Sequence, residues 1–258
     1  MPINAQHIDM WFTFYTDIVD TVLLAAMRQL LNEAERIEES RFHFADDRKR
    51  YLVTRAMVRT VLSRYAPVAP EDWTFSSNES GRPAIATQHA QAIGLTFNLS
   101  HTRGLIALGV SRHRTLGVDV ESVHRQQDTL SIAEHYFAPA EYAELARLPE
   151  AQRQARFFEY WTFKESYIKA RGKGLSIPLD KFSFHFANDR AVRMVTDPVL
   201  SDAANGWRFW QLRPAPEYLL AICAQSLDGD APILTMRKTI PMVADDIIDL
   251  PVLKRSTD

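Results

Sequence analysis

The sequence predicts an α+β protein built from two similar halves that meet near residue 118. Two observations support this prediction. In each half, amphipathic helical segments come before strand-like segments, which is typical of helices packed on an antiparallel sheet. The 258 residues, of which 46% are hydrophobic and 24% charged, are also enough for one large or two small cores. We expect an N-terminal half at 1–118, a C-terminal half at 119–225 and a C-terminal extension at 226–258.

The first half combines two helical patterns with three strand-like segments. Apolar residues recur at helical spacing over about 21–39 and about 46–64, and the second pattern carries a row of basic residues. The segments that alternate or run apolar are 95–100, 105–110 and 116–121. A turn containing Gly104 joins the first two segments, and we expect all three to form neighbouring antiparallel strands.

The second half repeats this order. Helical patterns at 132–137 and 140–148 precede a long helix at about 151–170, which we expect Gly172 and Gly174 to end. The strand-like segments that follow are 182–187, 191–196, 207–212 and 218–225. The tail after about residue 226 contains several prolines, and we expect it to have weaker structure and to wrap the surface or end in disorder.

Composition and charge narrow the classes of function. Lys and Arg total 30 against 32 Asp and Glu, a net charge of −2, so no basic excess points to nucleic acid or an anionic membrane. The N-terminus lacks a secretory pattern, and no segment has the roughly 20 apolar residues that a bilayer requires. Cys223 is the only cysteine, which excludes an internal disulfide and a cysteine-rich zinc site. We expect a cytoplasmic monomer without nucleic-acid or membrane partners.

Glu165 lies on a stripe of the long helix where apolar side chains are expected. It follows Trp161 by four residues and precedes Ile168 by three, so its carboxylate shares their face. One interpretation is an ordinary i, i+4 pair with Lys169, which adds roughly 0.3 kcal/mol to an exposed helix. The other is a buried carboxylate, which loses hydration worth several kcal/mol unless a cation or donors replace it. The second interpretation predicts further acids nearby.

Two more acids stand on the strand-like segment 116–121. The strand period of two places Asp119 and Glu121 together on the face opposite its apolar residues. An isolated Asp-x-Glu pattern is often only a solvated strand edge. A hard divalent cation would instead hold Asp119, Glu121 and Glu165 together, since Mg²⁺ prefers carboxylate, water and phosphate oxygens. No set of His or Cys ligands suggests zinc in its place.

Basic and hydroxyl side chains elsewhere in the sequence would suit a phosphate ligand. Lys164 and Lys169 lie on the same helix as Glu165, and Arg50 lies on the basic helix of the first half. The Ser-His-Thr segment 100–102 ends the first predicted strand. Each of these features is by itself more simply explained as a solvated or turn residue. Together with the three acids, they indicate a site for a magnesium pyrophosphate.

The motifs that contain these residues resemble the signature blocks of a known enzyme family, the 4′-phosphopantetheinyl transferases of the surfactin-synthetase-activating type. The matching blocks are FNLSHT (97–102), LGVDVE (116–121) and YWTFKESYIKARGKGL (160–175), supported by GRP (81–83), YFAPAEYAEL (136–145) and SIPLDKFSF (176–184). The resemblance covers about residues 41–225. It implies a pseudodimer of two α+β halves, with coenzyme A in the cleft between them and Mg²⁺ joining its pyrophosphate to the acids.

The resemblance also implies a role for each candidate residue. Asp119, Glu121 and Glu165 match the metal-binding acids, and Glu165 is in addition the expected acceptor of a serine proton. Lys169 is expected to neutralise the leaving group, so Glu165 and Lys169 are the catalytic candidates. The residues expected to bind coenzyme A are Arg50, Arg82, Pro83, Ser100, His101, Lys164 and Lys169.

Individual parts of coenzyme A are assigned to some of these residues. Ser100 and His101 match residues near its phosphates, and His101 and Arg50 are expected at the 3′-phosphate. Arg82 and Pro83 match the segment near adenine. The chain departs from the family at 33–39, where glutamates replace the lysines of some members.

The reaction implied by the resemblance is transfer of the 4′-phosphopantetheine arm of coenzyme A to a serine of an apo acyl, polyketide or peptidyl carrier protein. Mg²⁺ is the expected metal, with Mn²⁺ as a substitute, and 3′,5′-ADP is the expected product. Two other functions stay open on the sequence. One is a Mg²⁺-dependent phosphohydrolase that acts on a coenzyme A-like or nucleotide pyrophosphate, and the other is a non-catalytic coenzyme A-binding module. No motif identifies the carrier or its pathway.

Overall fold

The computed structural model describes residues 1, 3–227 and 232–256. Its helices are α1 (Thr21–Gln29), α2 (Glu33–Arg41), α3 (Ala45–Leu62), α4 (Thr129–Tyr136), α5 (Pro139–Arg147) and α6 (Glu150–Arg171). Its strands are β1 (His7–Phe14), β2 (Phe75–Ser77), β3 (Pro83–Ile85), β4 (Leu95–Thr102), β5 (Leu105–Arg112), β6 (Leu116–Ser122), β7 (Phe182–Asn188), β8 (Ala191–Thr196), β9 (Trp207–Leu212), β10 (Tyr218–Gln225), β11 (Ile233–Ile240), β12 (Ala244–Ile247) and β13 (Val252–Ser256). The predicted α+β class is confirmed. Among the described residues, no helix has the length and apolarity needed to cross a bilayer.

A capping box divides the first predicted helix into two. The sequence pattern predicts a helix over about 21–39, but α1 ends at Gln29 and α2 begins at Glu33. Between them, the Asn32 side chain accepts a hydrogen bond from the Glu35 N–H, and the Glu35 carboxylate accepts one from the Asn32 N–H. A new helix starts here because these bonds satisfy amides that no intrahelical carbonyl can reach.

The first half is a five-stranded sheet with α1 and α3 packed on one face. Its strand order is β12–β11–β1–β5–β4, so β1 lies at the centre, antiparallel to β5 and parallel to β11. Trp11 of β1, Met27 of α1 and Met57 of α3 belong to the core of this half. The sequence does not predict β1, because a strand buried along nearly its whole length lacks the alternating pattern.

The second half is a six-stranded sheet in the order β6–β10–β9–β13–β8–β7. The long helix α6 packs across β6, β9 and β10 on one face of this sheet. Phe157 and Phe163 of α6 join Phe184 and Phe209 of the sheet in the core of this half. Helices therefore cover one face of each sheet, as the sequence predicts.

A third core joins the faces of the two sheets that carry no helices. Ile8 and Met10 of β1 pack there with Val118 of β6 and with Leu220 and Ile222 of β10. Since this core takes residues from both sheets, the two halves share one continuous hydrophobic interface.

The strand β6 belongs to the second sheet, which corrects the predicted meander of β4, β5 and β6. β4 and β5 pair as neighbouring antiparallel strands, but β6 pairs with β10. The predicted boundary at residue 118 therefore falls inside β6. This strand still lies beside β4, because the amides of Val118 and Val120 donate to the side chains of Asn98 (2.7 Å) and Ser100 (3.2 Å). Side-chain hydrogen bonds thus bridge the seam between the two sheets.

The C-terminal segment contributes strands to both sheets, which corrects the expectation of a weakly structured tail. β11 runs parallel to β1, β12 extends the same sheet, and β13 lies between β8 and β9. These strands pair with strands far away in the sequence, so local pattern does not reveal their partners. The expectation of disorder at 228–231 and 257–258 lies outside the described residues.

Gly117 allows β6 to lie directly on α6. A Cβ atom at this position would lie 2.0 Å from the Ser166 carbonyl oxygen and 2.3 Å from the Ala170 nitrogen. A side chain would therefore force the strand and the helix apart. Close to this contact, α6 ends at Arg171, and the left-handed backbone of Gly172 (φ 64°) caps the helix as the sequence predicts.

Replacing Gly117→Ala tests this contact. We expect the variant to lose roughly 1–3 kcal/mol of unfolding free energy, the usual cost of overpacking a tight interior contact. Urea unfolding followed by circular dichroism measures the change. The control is Gly206→Ala, where a Cβ would meet nothing within 4 Å, and its expected change is within about 0.5 kcal/mol. Equal stability of the two variants would contradict the proposed close contact.

Candidate active site

The face of β6 that carries Gly117 also turns Asp119 and Glu121 toward α6. The Lys169 ammonium donates to Asp119 Oδ1 at 2.7 Å, and the Trp161 indole donates to Glu121 Oε1 at 3.1 Å. The apolar residues of β6 lie on its other face, in the core between the sheets. The predicted alternation of this strand is therefore confirmed.

Asp119 is only 4% exposed and is tied to both halves. The Lys169 ammonium also donates to Ser100 Oγ at 2.8 Å, and Ser100 Oγ donates to Asp119 Oδ1 at 3.2 Å. Asp119 Oδ2, however, is buried without a hydrogen-bond partner among the described residues. An unsatisfied buried carboxylate oxygen costs free energy, which suits an atom that binds a ligand or a cation.

The carboxylates of Glu121 and Glu165 share this electrostatic environment. Burial, and after it the charge of Asp119, raise the pKa of Glu121 to about 7 against the opposing effects of Arg125, Trp161 and Lys169. Burial, and after it repulsion from Asp119 and more weakly from Glu121, raise the pKa of Glu165 to about 7 against the opposing charge of Lys169. The charge of Asp119 therefore opposes the ionisation of both glutamates.

A cleft of about 240 Å³ lies along the seam, and both halves line it. Among its lining residues are Arg82, Pro83, Asn98 and Leu99 of the first half and Glu165 and Lys169 of the second. Glu165 on α6 thus faces a cleft between the halves, whereas Ile168 of the same stripe both lines this cleft and belongs to the core of the second half. This position explains how an acid can share the stripe of Trp161 and Ile168.

The three acids do not form a preassembled metal cluster. Among the described residues, no group of three or more His, Cys, Asp or Glu side chains converges as a metal site. Asp119 pairs with Lys169, and Glu121 is held by Trp161 and, at 3.7 Å, by Arg125. The unpartnered Asp119 Oδ2 and the oxygen-only donor set nevertheless fit a hard divalent cation such as Mg²⁺.

The position of Lys164 corrects its assignment to the coenzyme phosphates. Its side chain is fully buried, and its ammonium bonds the carbonyls of Leu179 (2.8 Å) and Phe182 (2.7 Å) and the carboxylate of Glu141 (2.7 Å). All three N–H donors are thereby used inside the second half. The helical period turns Lys164 about 100° away from Glu165, so the two neighbours face different surroundings.

Arg50 and His101 lie together near the end of β4. Arg50 forms an ion pair with Asp47 at 2.8 Å. His101 is exposed, but nearby protein reduces its hydration and thereby lowers its pKa, and the charges of Arg50 and Lys169 lower it further. Two cations near this imidazole make the local potential favourable for an anion.

The remaining predicted coenzyme contacts, Ser100, Arg82 and Pro83, have different surroundings. Ser100 is buried and bonded to Asp119 and Lys169. Pro83 and Arg82 line the cleft. The Arg82 guanidinium, however, donates to backbone carbonyls of the second half, those of Ala170 and Leu116.

Sequence reasoning missed three residues that shape the site. Asn98 binds the β6 backbone, Trp161 holds Glu121, and Glu141 pairs with Lys164. All three lie inside the quoted motifs, and for the first two a polar atom on an otherwise buried face was an available signal. Glu141 gave a weaker signal, since an acid at the third position of a helix is usually a capping residue. It does cap α5, where its carboxylate accepts from the Ala138 N–H at 3.1 Å.

Comparison with known proteins agrees with the two-half architecture. A family model for the N-terminal part of 4′-phosphopantetheinyl transferases matches residues 20–113. The model of the 4′-phosphopantetheinyl transferase superfamily matches residues 115–223. Both matches describe a single class of enzyme, which transfers the 4′-phosphopantetheinyl group.

Individual relatives lead to the same class. The 4′-phosphopantetheinyl transferase HetI of Nostoc sp. is 32% identical over 74% of this chain and 77% of its own length. The 4′-phosphopantetheinyl transferase Sfp of Bacillus subtilis is 31% identical over 73% of this chain and 79% of its own. This chain belongs to the 4′-phosphopantetheinyl transferase family. A solved structure of Thermotoga maritima holo-[acyl-carrier-protein] synthase matches at a TM-score of 0.35 and 17% identity over 43% of this chain and 62% of its own, too weakly for comparison.

The raised pKa of Glu165 predicts a pH-dependent stability. Its pKa is about 7 in the folded chain against an ordinary value of 4.5, so the folded state binds this proton more tightly. Stability should therefore fall as pH rises from 5 to 8, and Glu165→Gln should remove roughly 2 kcal/mol of that fall.

Urea unfolding of both proteins at several pH values, with a chelator present, measures this difference. The control is Glu150→Gln at the exposed start of the same helix, which should leave the pH dependence of the wild type in place. If the curves of wild type and Glu165→Gln run parallel between pH 5 and 8, Glu165 does not have the environment described here.

Proposed function

We propose that this chain transfers the 4′-phosphopantetheine arm of coenzyme A to a serine of an apo carrier protein and releases 3′,5′-ADP. The observation that carries the proposal is the meeting of Asp119, Glu165 and Lys169 at a cleft between the two halves, in a chain of this family. Acids beside a lysine in a cleft suit a substrate that is itself a metal-bound pyrophosphate.

The transfer is a substitution at the β-phosphorus of coenzyme A. The serine oxygen forms a bond to this phosphorus, and the bond from phosphorus to the bridging oxygen breaks. The bridging oxygen and its electron pair leave as part of 3′,5′-ADP, and the serine proton passes to a base. Glu165 is the proposed base, because it lines the cleft and, among the residues that the structure describes, no lysine forms an ion pair with it, whereas Lys169 pairs with Asp119.

Lys169 is proposed to stabilise the leaving group. Its ammonium lies at the cleft on Asp119 and Ser100, and its side chain is 29% exposed, so it can reach an anion without leaving the seam. A fixed cation at the position where charge develops lowers the barrier of a phosphoryl transfer. Lys164 has no part in this proposal, since its ammonium is fully used inside the second half.

Asp119, Glu121 and Glu165 are the residues proposed to hold Mg²⁺, or Mn²⁺ in its place. When bound, such an ion neutralises charge on the pyrophosphate and on the leaving oxygen. The support comes from Asp119 Oδ2, which is buried without a hydrogen-bond partner in the described part of the chain, and from the repulsion that the charge of Asp119 exerts on Glu121 and Glu165.

The N-terminal half is proposed to bind the nucleotide end of coenzyme A. Arg50 and His101 suit the 3′-phosphate, because they lie together at the end of β4 near Lys169. Pro83 suits the adenine, since it offers an apolar ring at the wall of the cleft. Both walls of the cleft come from one chain, which supports a monomer as the active form, and we propose that this monomer acts in the cytoplasm.

The direct test is modification of a carrier protein. Purified protein, coenzyme A and Mg²⁺ should convert an apo carrier to its holo form, with one phosphopantetheine on a single serine. Intact-protein mass spectrometry of a panel of acyl, polyketide and peptidyl carriers measures the product. A chelator should stop the reaction, because the pyrophosphate and the carboxylates would repel one another without a counter-charge.

Variants of the acids make this test specific. Asp119→Ala and Glu165→Ala should each lower the rate roughly 10²-fold or more, whereas Asp189→Ala, in the exposed turn between β7 and β8, should not. Steady cleavage of coenzyme A without modification of any carrier would contradict the transferase function and indicate a hydrolase. Binding without any turnover would leave only a coenzyme A-binding module.

A variant of His101 tests whether this residue binds the 3′-phosphate or another part of coenzyme A. We expect His101→Ala to raise the KM for coenzyme A roughly tenfold, the value of one hydrogen bond to a charged group. The KM for 3′-dephospho-coenzyme A should change little. The control is His185→Ala on β7, at the opposite edge of the second sheet from β6. An equal rise in KM for the two substrates would show that His101 does not act through the 3′-phosphate.

A further inference from the structure

We propose that Asn78 and Arg82, which we call the clasp, position the catalytic residues of the second half from the first half. Both lie in the connection between β2 and β3. The clasp binds backbone carbonyls of β6 and α6, the two elements that carry Asp119 and Glu165. This proposal rests on the transferase function proposed above.

Arg82 bonds both elements with one guanidinium group. Its Nη1 donates to the Ala170 carbonyl at 2.7 Å, and its Nη2 donates to the Leu116 carbonyl at 2.8 Å. Leu116 starts β6, and Ala170 directly follows Lys169 on α6. Because a guanidinium is planar and rigid, these two bonds fix the spacing between the start of β6 and the end of α6.

Asn78 supports Arg82 and adds a third bond. Its Oδ1 accepts from the backbone N–H of Ser80 (3.1 Å) and of Arg82 (2.8 Å), which fixes the turn that presents Arg82. Its Nδ2 donates to the Gly172 carbonyl at 2.7 Å. The turn between β2 and β3 is therefore hydrogen-bonded directly to the C-terminal end of α6.

The end of α6 needs such donors. The last carbonyls of a helix have no intrahelical partner, and the clasp satisfies those of Ala170 and Gly172 from the other half of the chain. In the same region Gly117 lies directly against the backbone of Ser166 and Ala170, so there is no free space between β6 and α6. A small loss of registry there would displace Lys169 and Glu165 from Asp119, and displacements near 1 Å are enough to reduce catalysis about 10²-fold.

A direct contact of Arg82 with coenzyme A makes a different prediction. Arg82 also lines the cleft, so its substitution alone does not separate ligand binding from positioning. Substitution of Asn78 does separate ligand binding from positioning, since the Asn78 amide donates to the Gly172 carbonyl. Asn78→Asp keeps the Oδ1 that holds the turn but replaces the donor with an oxygen that repels that carbonyl.

The experiment compares Asn78→Asp with Asn188→Asp, whose Oδ1 accepts from the N–H of Arg190 and Ala191 in a similar turn far from the cleft. Asn78→Asp should lower kcat roughly tenfold while the KM for coenzyme A changes less than about twofold. In protein free of coenzyme A, hydrogen–deuterium exchange should accelerate at 116–121 and 166–172. Asn188→Asp should show neither effect.

Arg82→Lys and Arg82→Gln complete the series. Both should accelerate exchange in the same two segments, since neither side chain has the planar, rigid guanidinium that holds the two carbonyls at a fixed spacing. Adding Asn78→Asp to Arg82→Gln should cost less in kcat than the product of the single effects, because both act through one set of bonds.

The outcomes separate the explanations. A raised KM with unchanged exchange would assign Arg82 to ligand binding alone and overturn the proposal. Faster exchange across the whole chain would make the clasp a general stability element and would equally overturn it. If the wild type modified no carrier, the proposed function would fail, whereas the exchange measurement, which needs no activity, would still decide whether the clasp holds β6 to α6.

Discussion

The direct contact of β6 with α6 is the constraint on which the site depends. Gly117 lets the strand lie against the backbone of Ser166 and Ala170. The strand period then brings Asp119 within 2.7 Å of Lys169, which lies three residues after Ser166 on the helix. Because buried side chains of α6 pack in the core of the second half and those of β6 pack in the core between the sheets, packing fixes the relative position of the charged groups. The site is therefore set by backbone geometry before any ligand binds.

The first half completes this arrangement by hydrogen bonds from side chain to backbone. Asn98 and Ser100 of β4 bind the amides of β6, and Arg82 binds carbonyls of β6 and α6. Each bond satisfies a backbone group at a sheet edge or a helix end, where the regular pattern leaves one unpaired. The shared core between the sheets holds the halves in this position. The second half therefore supplies the acids and Lys169, and the first half supplies the side chains that bond the backbone of β6 and α6.

The sequence was most informative where a polar residue broke a local pattern. Asp119, Glu121 and Glu165 stood out because strand and helix periods put them on defined faces, and the structure places them along one seam. Pairing between distant strands leaves no such local signal, so β1 and the tail strands were missed. Lys164 shows a second limit. The motif resemblance predicts Lys164 at the coenzyme phosphates. Because Lys164 lies one residue before Glu165, it is on a different face of α6, where it forms a buried ion pair with Glu141.

We propose that the acids of β6 and α6 act together on one cation in the presence of coenzyme A. Equilibrium binding of Mn²⁺, followed by electron paramagnetic resonance of the free ion, tests it without relying on turnover. We expect one coenzyme A-dependent Mn²⁺ per chain, with affinity reduced at least roughly tenfold, or about 1.4 kcal/mol, by either Asp119→Asn or Glu165→Gln. Mn²⁺ binding by both variants with the affinity and stoichiometry of the wild type would contradict it.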